Sequence, residues 1–140
     1  SRGDDSGTNK KEISYWDKVG ITPNGGWFLE SGQGMGATLQ IASEKDAYTL
    51  ADRATYLFLK DNLFLEILVE GDESLLNIYH VITVNPELWK HVNNQGAKAL
   101  AAFLISDRTQ DMIREYGVEQ FGQPLFFPDA DKLDTDLGLD

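Results

Sequence analysis

The segment Arg2–Thr8, which reads RGDDSGT, restricts the local structure of this chain more than any other stretch. Asp5 or Ser6 can cap a helix that the apolar spacing predicts from about residue 9 to about residue 18. The first turn of such a helix leaves backbone N–H groups without partners, and the helix dipole places about half a positive charge there. The glycine at position 7 lets a ligand approach this backbone closely. The segment therefore predicts an anion site at a helix start.

Four residues are the candidates for direct contact with the anion: Arg2, Ser6, Gly7 and Thr8. The arginine supplies a fork of charged N–H donors, and the two hydroxyl side chains add further donors. The second-tier or supporting candidates are Ser1, Gly3, Asp4, Met35 and Gly36. Asp4 can hold the arginine in one rotamer, and the last two residues would offer backbone amides at the start of a second helix. A capped helix with a solvent-exposed arginine is the competing interpretation of the same pattern.

The charge balance limits the classes of partner. The 140 residues include 12 Lys and Arg against 23 Asp and Glu, which gives a net charge of −11. Nucleic acid is therefore excluded as a predicted partner, because neutralising phosphates requires clustered cations. A small anion is still compatible with this charge, since salt screens exposed charges over about 8–10 Å. The absence of cysteine excludes thiolate metal sites and disulfides.

Helical and strand-like segments alternate along the chain. Further helices are predicted from about residue 35 to 44, after a capping box formed by Thr49 and Asp52, from Asn93 or Asn94, and from Ser106 to Tyr116 with Gly117 at its end. Two segments have the composition of β-strands, residues 63–71 and 75–86. This alternation predicts an α/β architecture. No apolar run approaches the roughly 20 residues that a membrane-spanning helix needs.

Other kinds of chemistry fit the sequence poorly. GQGMGA, at residues 32–37, satisfies a loose dinucleotide fingerprint. Such a site requires a strand, the turn, a helix and a second strand that ends in the acidic residue, whereas Asp52 is assigned to a helix cap. His80 and His91 lie in a strand-like segment and a polar turn, where a lone histidine is usually structural. No serine has the context of a nucleophile elbow, and no residues have metal-ligand spacing. We therefore predict no enzyme activity, no metal and no cofactor.

The string SRGDDSGTNKKE resembles the tungstate-binding proteins of ABC transporters, part of a superfamily that also binds molybdate and phosphate. Four further stretches match in order: GQGMGATL, AYTLADRATYL, LVEGDESLLNIYHVI and FGQPLFFPDA. The resemblance covers residues 1 to about 130 and implies a type II periplasmic-binding-protein-like α/β fold. In that fold two lobes are joined by crossing strands, and the oxyanion binds between them. The arginine, serine, glycine and threonine of the family motif fall on Arg2, Ser6, Gly7 and Thr8.

The same resemblance implies a division of the chain, since family members are nearly twice as long. Residues 1–78 would form one complete lobe that carries the anion-binding helix start. Residues 79–130 would form the return crossing and the C-terminal part of the other lobe. Residues 131–140, which are rich in aspartate, predict a disordered acidic tail. The missing partner would be the N-terminal half of the same protein, or a second copy through self-association.

The implied function is that of an extracytoplasmic solute-binding protein that captures a tetrahedral oxyanion, with tungstate as the first candidate. Molybdate, sulfate and phosphate are alternatives within this class. Phosphate carries a proton that needs an acceptor, which Asp4 or Asp5 could provide. A ligand-sensing domain of a regulatory protein is the alternative from another class. The implied partner is the membrane permease of an ABC transporter. The implied location is periplasmic or extracytoplasmic, and the protein could be a membrane-anchored lipoprotein. The sequence itself shows no signal peptide pattern.

Overall fold

The computed structural model of the chain describes residues 1–137. These residues form two compact units, Ser1–Leu68 and Val69–Asp140, and each is described by itself. Within the described part, no helix is both long enough and apolar enough to cross a bilayer. The division into lobes at residue 78 stays a prediction.

The first unit contains three helices: α1 over Gly7–Lys18, α2 over Met35–Glu44 and α3 over Arg53–Leu59, followed by a 3-10 turn over Lys60–Asn62. Its core forms where α2 packs against α3. Leu39 and Leu57 are 2% and 4% exposed. A Cβ added to Gly36 would lie 3.4 Å from Leu59 Cδ1, so the absence of a side chain allows close packing of the two helices. The start of α2 is therefore held in a fixed position.

The second unit also contains three helices: α4 over Asn94–Leu104, α5 over Asp107–Glu115 and α6 over Val118–Phe121, with 3-10 turns over Glu73–Leu75 and Asp134–Leu137. The predicted caps of its two longer helices are present. The Asn93 side chain accepts from the Gly96 amide, and the Ser106 side chain accepts from the Thr109 amide. Gly117 follows α5 in the left-handed conformation with φ 91°.

The structure corrects the prediction of two β-strands. Residues 63–71 and 75–86 do not form β-strands, and no strand occurs among residues 1–137. A strand needs a second strand to receive its backbone hydrogen bonds, and the described residues provide none. Helix side chains bind this backbone instead: the Phe64 amide donates to Ser43 Oγ at 2.8 Å, and Tyr56 Oη donates to the Leu65 carbonyl at 3.1 Å.

The start of α3 also differs from the sequence prediction. Asp52, not Thr49, caps the helix: its Oδ1 accepts from the Thr55 amide at 2.8 Å. The Thr49 hydroxyl donates to the Leu50 carbonyl, so the expected reciprocal capping box is wrong. Both residue types favour N-caps, and the helix begins at the later one. Asp52 nevertheless caps a helix, so it is not assigned to a dinucleotide site.

The acidic end is more ordered than its composition predicts. Asp134–Leu137 form a 3-10 turn, and Leu137 is buried with 8% exposure. Residues 134–137 therefore depart from the prediction of a disordered tail, because the side chain of Leu137 is buried. The remaining residues of that prediction, 138–140, lie outside the described residues.

Asp46 offers a test of backbone strain at the end of α2. This exposed residue has φ 50°, and the next amide, that of Ala47, donates to the Ala42 carbonyl at 2.9 Å as in a helix-terminating Schellman motif. Asp46→Gly is expected to raise the free energy of unfolding by about 0.5–1 kcal/mol, because glycine avoids the left-handed penalty of an L-residue. Urea denaturation measures this change. Asp46→Asn removes only the charge, so an equal gain from both variants would contradict the backbone explanation.

Candidate functional site

The first turn of α1 is open toward solvent on its glycine side. Ser6 is the N-cap, with φ −71° and ψ 169°, and its Oγ accepts from the Asn9 amide at 3.3 Å. The amides of Gly7 and Thr8 have no acceptor within the helix. No atom lies within 4 Å of the position where a Cβ on Gly7 would be. The structure thus places Ser6, Gly7 and Thr8 together at a helix start that a small anion can reach.

Arg2 reaches this helix start through Asp4. Arg2 Nη2 donates to Asp4 Oδ2 at 2.5 Å, and the Ser6 amide donates to Asp4 Oδ1 at 3.2 Å. The two charged side chains are 18% and 23% exposed. Arg2 Nε is buried, and it has no hydrogen-bond partner within the described part of the chain. The expected contact of Asp4 with Arg2 is therefore present. The role of Arg2 in anion binding stays a prediction.

Asp4 remains ionised because three groups stabilise its charge. The hydrogen bond from the Ser6 side chain lowers the pKa of Asp4 most, and the Ser6 backbone amide and the Arg2 guanidinium lower it further. Desolvation is the second-largest influence and raises the pKa, but the groups that lower it together outweigh it. Asp4 thus acts as an acceptor that links the arginine to the helix start.

The segment that carries Arg2, residues 1–6 (here the Arg2 loop), is tied to residues 29–32. The Ser31 amide donates to the Ser1 carbonyl at 3.0 Å, and the Gly32 amide donates to the Arg2 carbonyl at 2.8 Å. Gly3, with φ 62°, has no room for a side chain, because a Cβ there would lie 2.8 Å from Glu30 Cβ. Gly3 thus allows two segments of backbone to lie side by side, whereas its supporting role in the anion site stays a prediction.

Ser31 connects the Arg2 loop to the start of α2. Its hydroxyl lies 3.3 Å from the Arg2 carbonyl and 2.7 Å from Thr38 Oγ1. Thr38 is 3% exposed, and its hydroxyl also reaches the Gly34 carbonyl at 3.1 Å. Gly34 is the N-cap of α2 and has no side chain with which to cap it. The second-tier residues Met35 and Gly36 therefore begin a helix that is joined to the Arg2 loop by hydroxyl hydrogen bonds.

Asn9 is a site residue that the sequence prediction missed. It is 5% exposed, its Nδ2 donates to Ser1 Oγ at 3.2 Å, and its Oδ1 accepts from the Asp5 amide at 3.0 Å. The second bond holds Asp5 in the left-handed conformation with φ 58°. The available signal was the spacing: in a capping box the third helical residue reaches back to the residues before the helix, and Asn9 does so here with an amide.

Asn9→Ala is expected to loosen the Arg2 loop. The amide of Asp5 would lose its acceptor in a part-buried hydrogen bond, which costs about 0.5–1.5 kcal/mol of unfolding free energy. Faster hydrogen exchange at the amides of Asp5 and Ser6, with little change in α4, would show that the loss is local. Ser14→Ala on the same helix is the control, because Ser14 bonds only the Lys11 carbonyl of its own helix. Unchanged exchange in Asn9→Ala would contradict the positioning role.

Acid is expected to release the Arg2 loop by protonating Asp4. Since the pKa of Asp4 is lowered in the folded state, its stabilising effect is fully present above the ordinary aspartate pKa and is lost as the pH falls through the lowered value. An NMR titration that follows the Ser6 amide should show this transition. Asp4→Asn should abolish it, and a transition that persists in this variant would show that another carboxyl group is responsible.

Three aromatic residues of the first unit form a cluster on its surface. Trp16, Trp27 and Phe28 make edge-to-face contacts with ring centroids 5.8–6.4 Å apart. Trp16 Nε1 donates to Glu12 Oε1 at 3.2 Å. These rings pack on one another. Across residues 1–137 no cluster of three or more His, Asp or Glu residues could hold a metal ion.

Comparison with known proteins gives consistent results. Residues 1–108 match the family model of the PBP superfamily domain. The chain is 52% identical over 132 residues to the tungstate-binding protein TupA of Peptoclostridium acidaminophilum. The match covers 94% of this chain and 46% of that protein. It is 42% identical over 135 residues to TupA of Campylobacter jejuni, and this match covers 93% of this chain and 49% of that protein.

Two solved structures are similar in both sequence and fold. The tungstate-binding protein TupA from Desulfovibrio alaskensis G20 has a TM-score of 0.76 and 37% identity, over 94% of this chain and 54% of that chain. The tungstate ABC transporter structure from Geobacter sulfurreducens has a TM-score of 0.65 and 35% identity, over 83% and 49%. The chain spans about half the length of the curated relatives that it matches.

Proposed function

Because this chain belongs to the PBP superfamily, we propose that it is part of an extracytoplasmic solute-binding protein of an ABC transporter, and that it captures a tetrahedral oxyanion, tungstate first among the candidates. The names of its relatives support this proposal. The role is binding and not catalysis, because the site offers hydrogen-bond donors but no activated nucleophile. Arg2, Ser6, Gly7 and Thr8 are the proposed contacts.

The observation that carries the proposal is an unused donor next to an open helix start. Arg2 Nε is buried without a partner, although buried polar groups are nearly always hydrogen-bonded. The free amides of the first turn of α1 follow a few residues later, with open space at Gly7. An oxyanion that accepts from the guanidinium, the amides and the hydroxyls would satisfy these groups together. Charge-assisted hydrogen bonds of this kind are among the strongest that proteins make.

The same geometry favours an anion without a bound proton. A protonated phosphate needs an acceptor in the site, and Asp4 is the nearest candidate. Each of its oxygens already accepts a hydrogen bond, from Arg2 or from the Ser6 amide, so a phosphate proton would have to share an oxygen that is in use. Tungstate, molybdate and sulfate only accept hydrogen bonds near neutral pH, so they fit these donors better than phosphate does.

The remaining parts of the proposal concern partners and location. We propose that the N-terminal half present in the longer relatives supplies the other side of the anion shell. We also propose that the loaded protein docks on a membrane permease outside the cytoplasm, held there as a soluble protein or as a lipoprotein. No separate cofactor is required, since the anion is the cargo.

Native mass spectrometry with tungstate, molybdate, sulfate and phosphate tests this function. A protein that contains both lobes is expected to bind a single tungstate ion, with molybdate competing and phosphate binding least. Failure of all four anions to bind would contradict the proposal. Tighter binding of phosphate than of tungstate would overturn the assignment of the anion but not of the class.

A further inference from the structure

The turn between α1 and α2 contains a chemically reactive pair of residues. Asn24 is followed by Gly25, and it is the only asparagine in the sequence that precedes a glycine. Both residues are exposed. Asn24 Nδ2 donates to the Thr22 carbonyl at 3.0 Å, and the Gly25 carbonyl accepts from the Phe28 amide at 3.2 Å. The pair therefore lies at the outer edge of a turn, held by these local hydrogen bonds.

We propose that Asn24 is a site of spontaneous deamidation that converts this turn to aspartate or isoaspartate. The Gly25 nitrogen attacks the side-chain carbon of Asn24, a C–N bond forms, and ammonia leaves with the side-chain nitrogen. The product is a cyclic imide. Water then adds to either carbonyl of the ring and breaks one C–N bond, which leaves either an ordinary aspartyl or an isoaspartyl linkage. Water is the only co-reactant, and no oxidant or metal is involved.

The local structure favours this attack. Gly25 has φ 81°, and no atom lies within 4 Å of the position where its Cβ would be, so no side chain of its own and no neighbouring group crowds the turn at this residue. Every other asparagine in the sequence precedes a residue that has a side chain, which hinders attack by the following nitrogen. Asn9 is in addition buried and bonded through both ends of its side chain.

The modification would reach the aromatic cluster formed by Trp16, Trp27 and Phe28. Trp27 follows the turn, and its ring centroid lies 5.8 Å from those of Trp16 and Phe28. The isoaspartyl linkage lengthens the backbone of the turn by one carbon atom and adds a negative charge to a chain that is already strongly acidic. The edge-to-face contacts depend on ring positions. The modified form should therefore show a changed tryptophan environment.

Peptide mapping by mass spectrometry during storage at mildly alkaline pH tests the proposal. The peptide that contains Asn24 should gain aspartyl and isoaspartyl forms, and isoaspartyl methyltransferase should label it. Gly25→Ala should lose most of this product because a side chain blocks the nitrogen. Gly26→Ala is the matched control in the same turn and should keep the product, since no atom lies near its Cβ position either.

Near-ultraviolet circular dichroism adds a second readout. Asn24→Gln should leave the aromatic signal stable during storage, whereas the parent protein should lose signal in step with the isoaspartyl product. An unmodified Asn24 peptide after storage, or equal product in Gly25→Ala and Gly26→Ala, would overturn the proposal. These readouts do not involve anion binding, so they are independent of the proposed function.

Discussion

Arg2→Ala is expected to weaken tungstate binding by about 2–5 kcal/mol in a protein that contains both lobes, because a largely buried charged donor to the anion is lost. The variant also leaves Asp4 without its cation, which adds a negative charge close to the ligand. Isothermal titration calorimetry measures the change. The stability of the protein should fall far less than the affinity, since the ion pair of Arg2 with Asp4 is still partly open to solvent.

Two further variants separate charge from geometry at this position. Arg2→Lys keeps the charge but replaces a planar fork with a single ammonium group, so it should also bind worse than the parent protein. Arg108→Ala removes an exposed arginine from α5 and should leave the affinity unchanged. Equal affinities for Arg2→Ala and the parent protein would eliminate Arg2 as an anion ligand.

The 140-residue chain alone is expected to self-associate. Large apolar side chains of the second unit lie in water: Tyr79, Ile82 and Leu88 are 76%, 85% and 75% exposed. On α4, Leu100 and Phe103 are 56% and 50% exposed. Exposed apolar surface of this extent is typical of an interface. Backbone in the predicted strands that lacks a pairing partner adds to the tendency to associate.

Size-exclusion chromatography with light scattering measures this association. Ile82→Lys should shift the chain toward monomer, whereas Tyr48→Lys, at an equally exposed position of the first unit, should shift it less. A stable 15.6 kDa monomer with cooperative unfolding would contradict the prediction. It would show that the region after residue 79 finds all of its packing partners within this chain.

The helix ends were predictable because their causes are local. The caps at Ser6, Asn93 and Ser106, and the glycine after α5, depend on residues within four positions of each other. The choice between Thr49 and Asp52 was not predictable, because both are good N-caps. The strands failed for a different reason: their composition is local, but their pairing requires a second segment that the described residues do not supply.

The candidate site divides in the same way. The contact between Arg2 and Asp4 and the capping by Ser6 could be read from neighbouring residues, and the structure has both. The hydrogen bonds that join Ser31 and Gly32 to the Arg2 loop could not, because their partners are far apart in the sequence. Asn9 was missed although it is local, since an amide in place of the usual carboxylate hides the capping pattern.

The hydrogen bonds between Ser31 or Gly32 and the Arg2 loop imply an order of events during folding. They close a loop in which the partners are 29 to 30 positions apart, whereas α1 needs only contacts within one turn. Closing a longer loop costs more chain entropy, so local structure tends to form before such contacts. A nascent chain that has emerged only as far as Trp27 could therefore form α1 but could not yet position Arg2. The arginine would reach its place only after the segment that precedes α2 has been made.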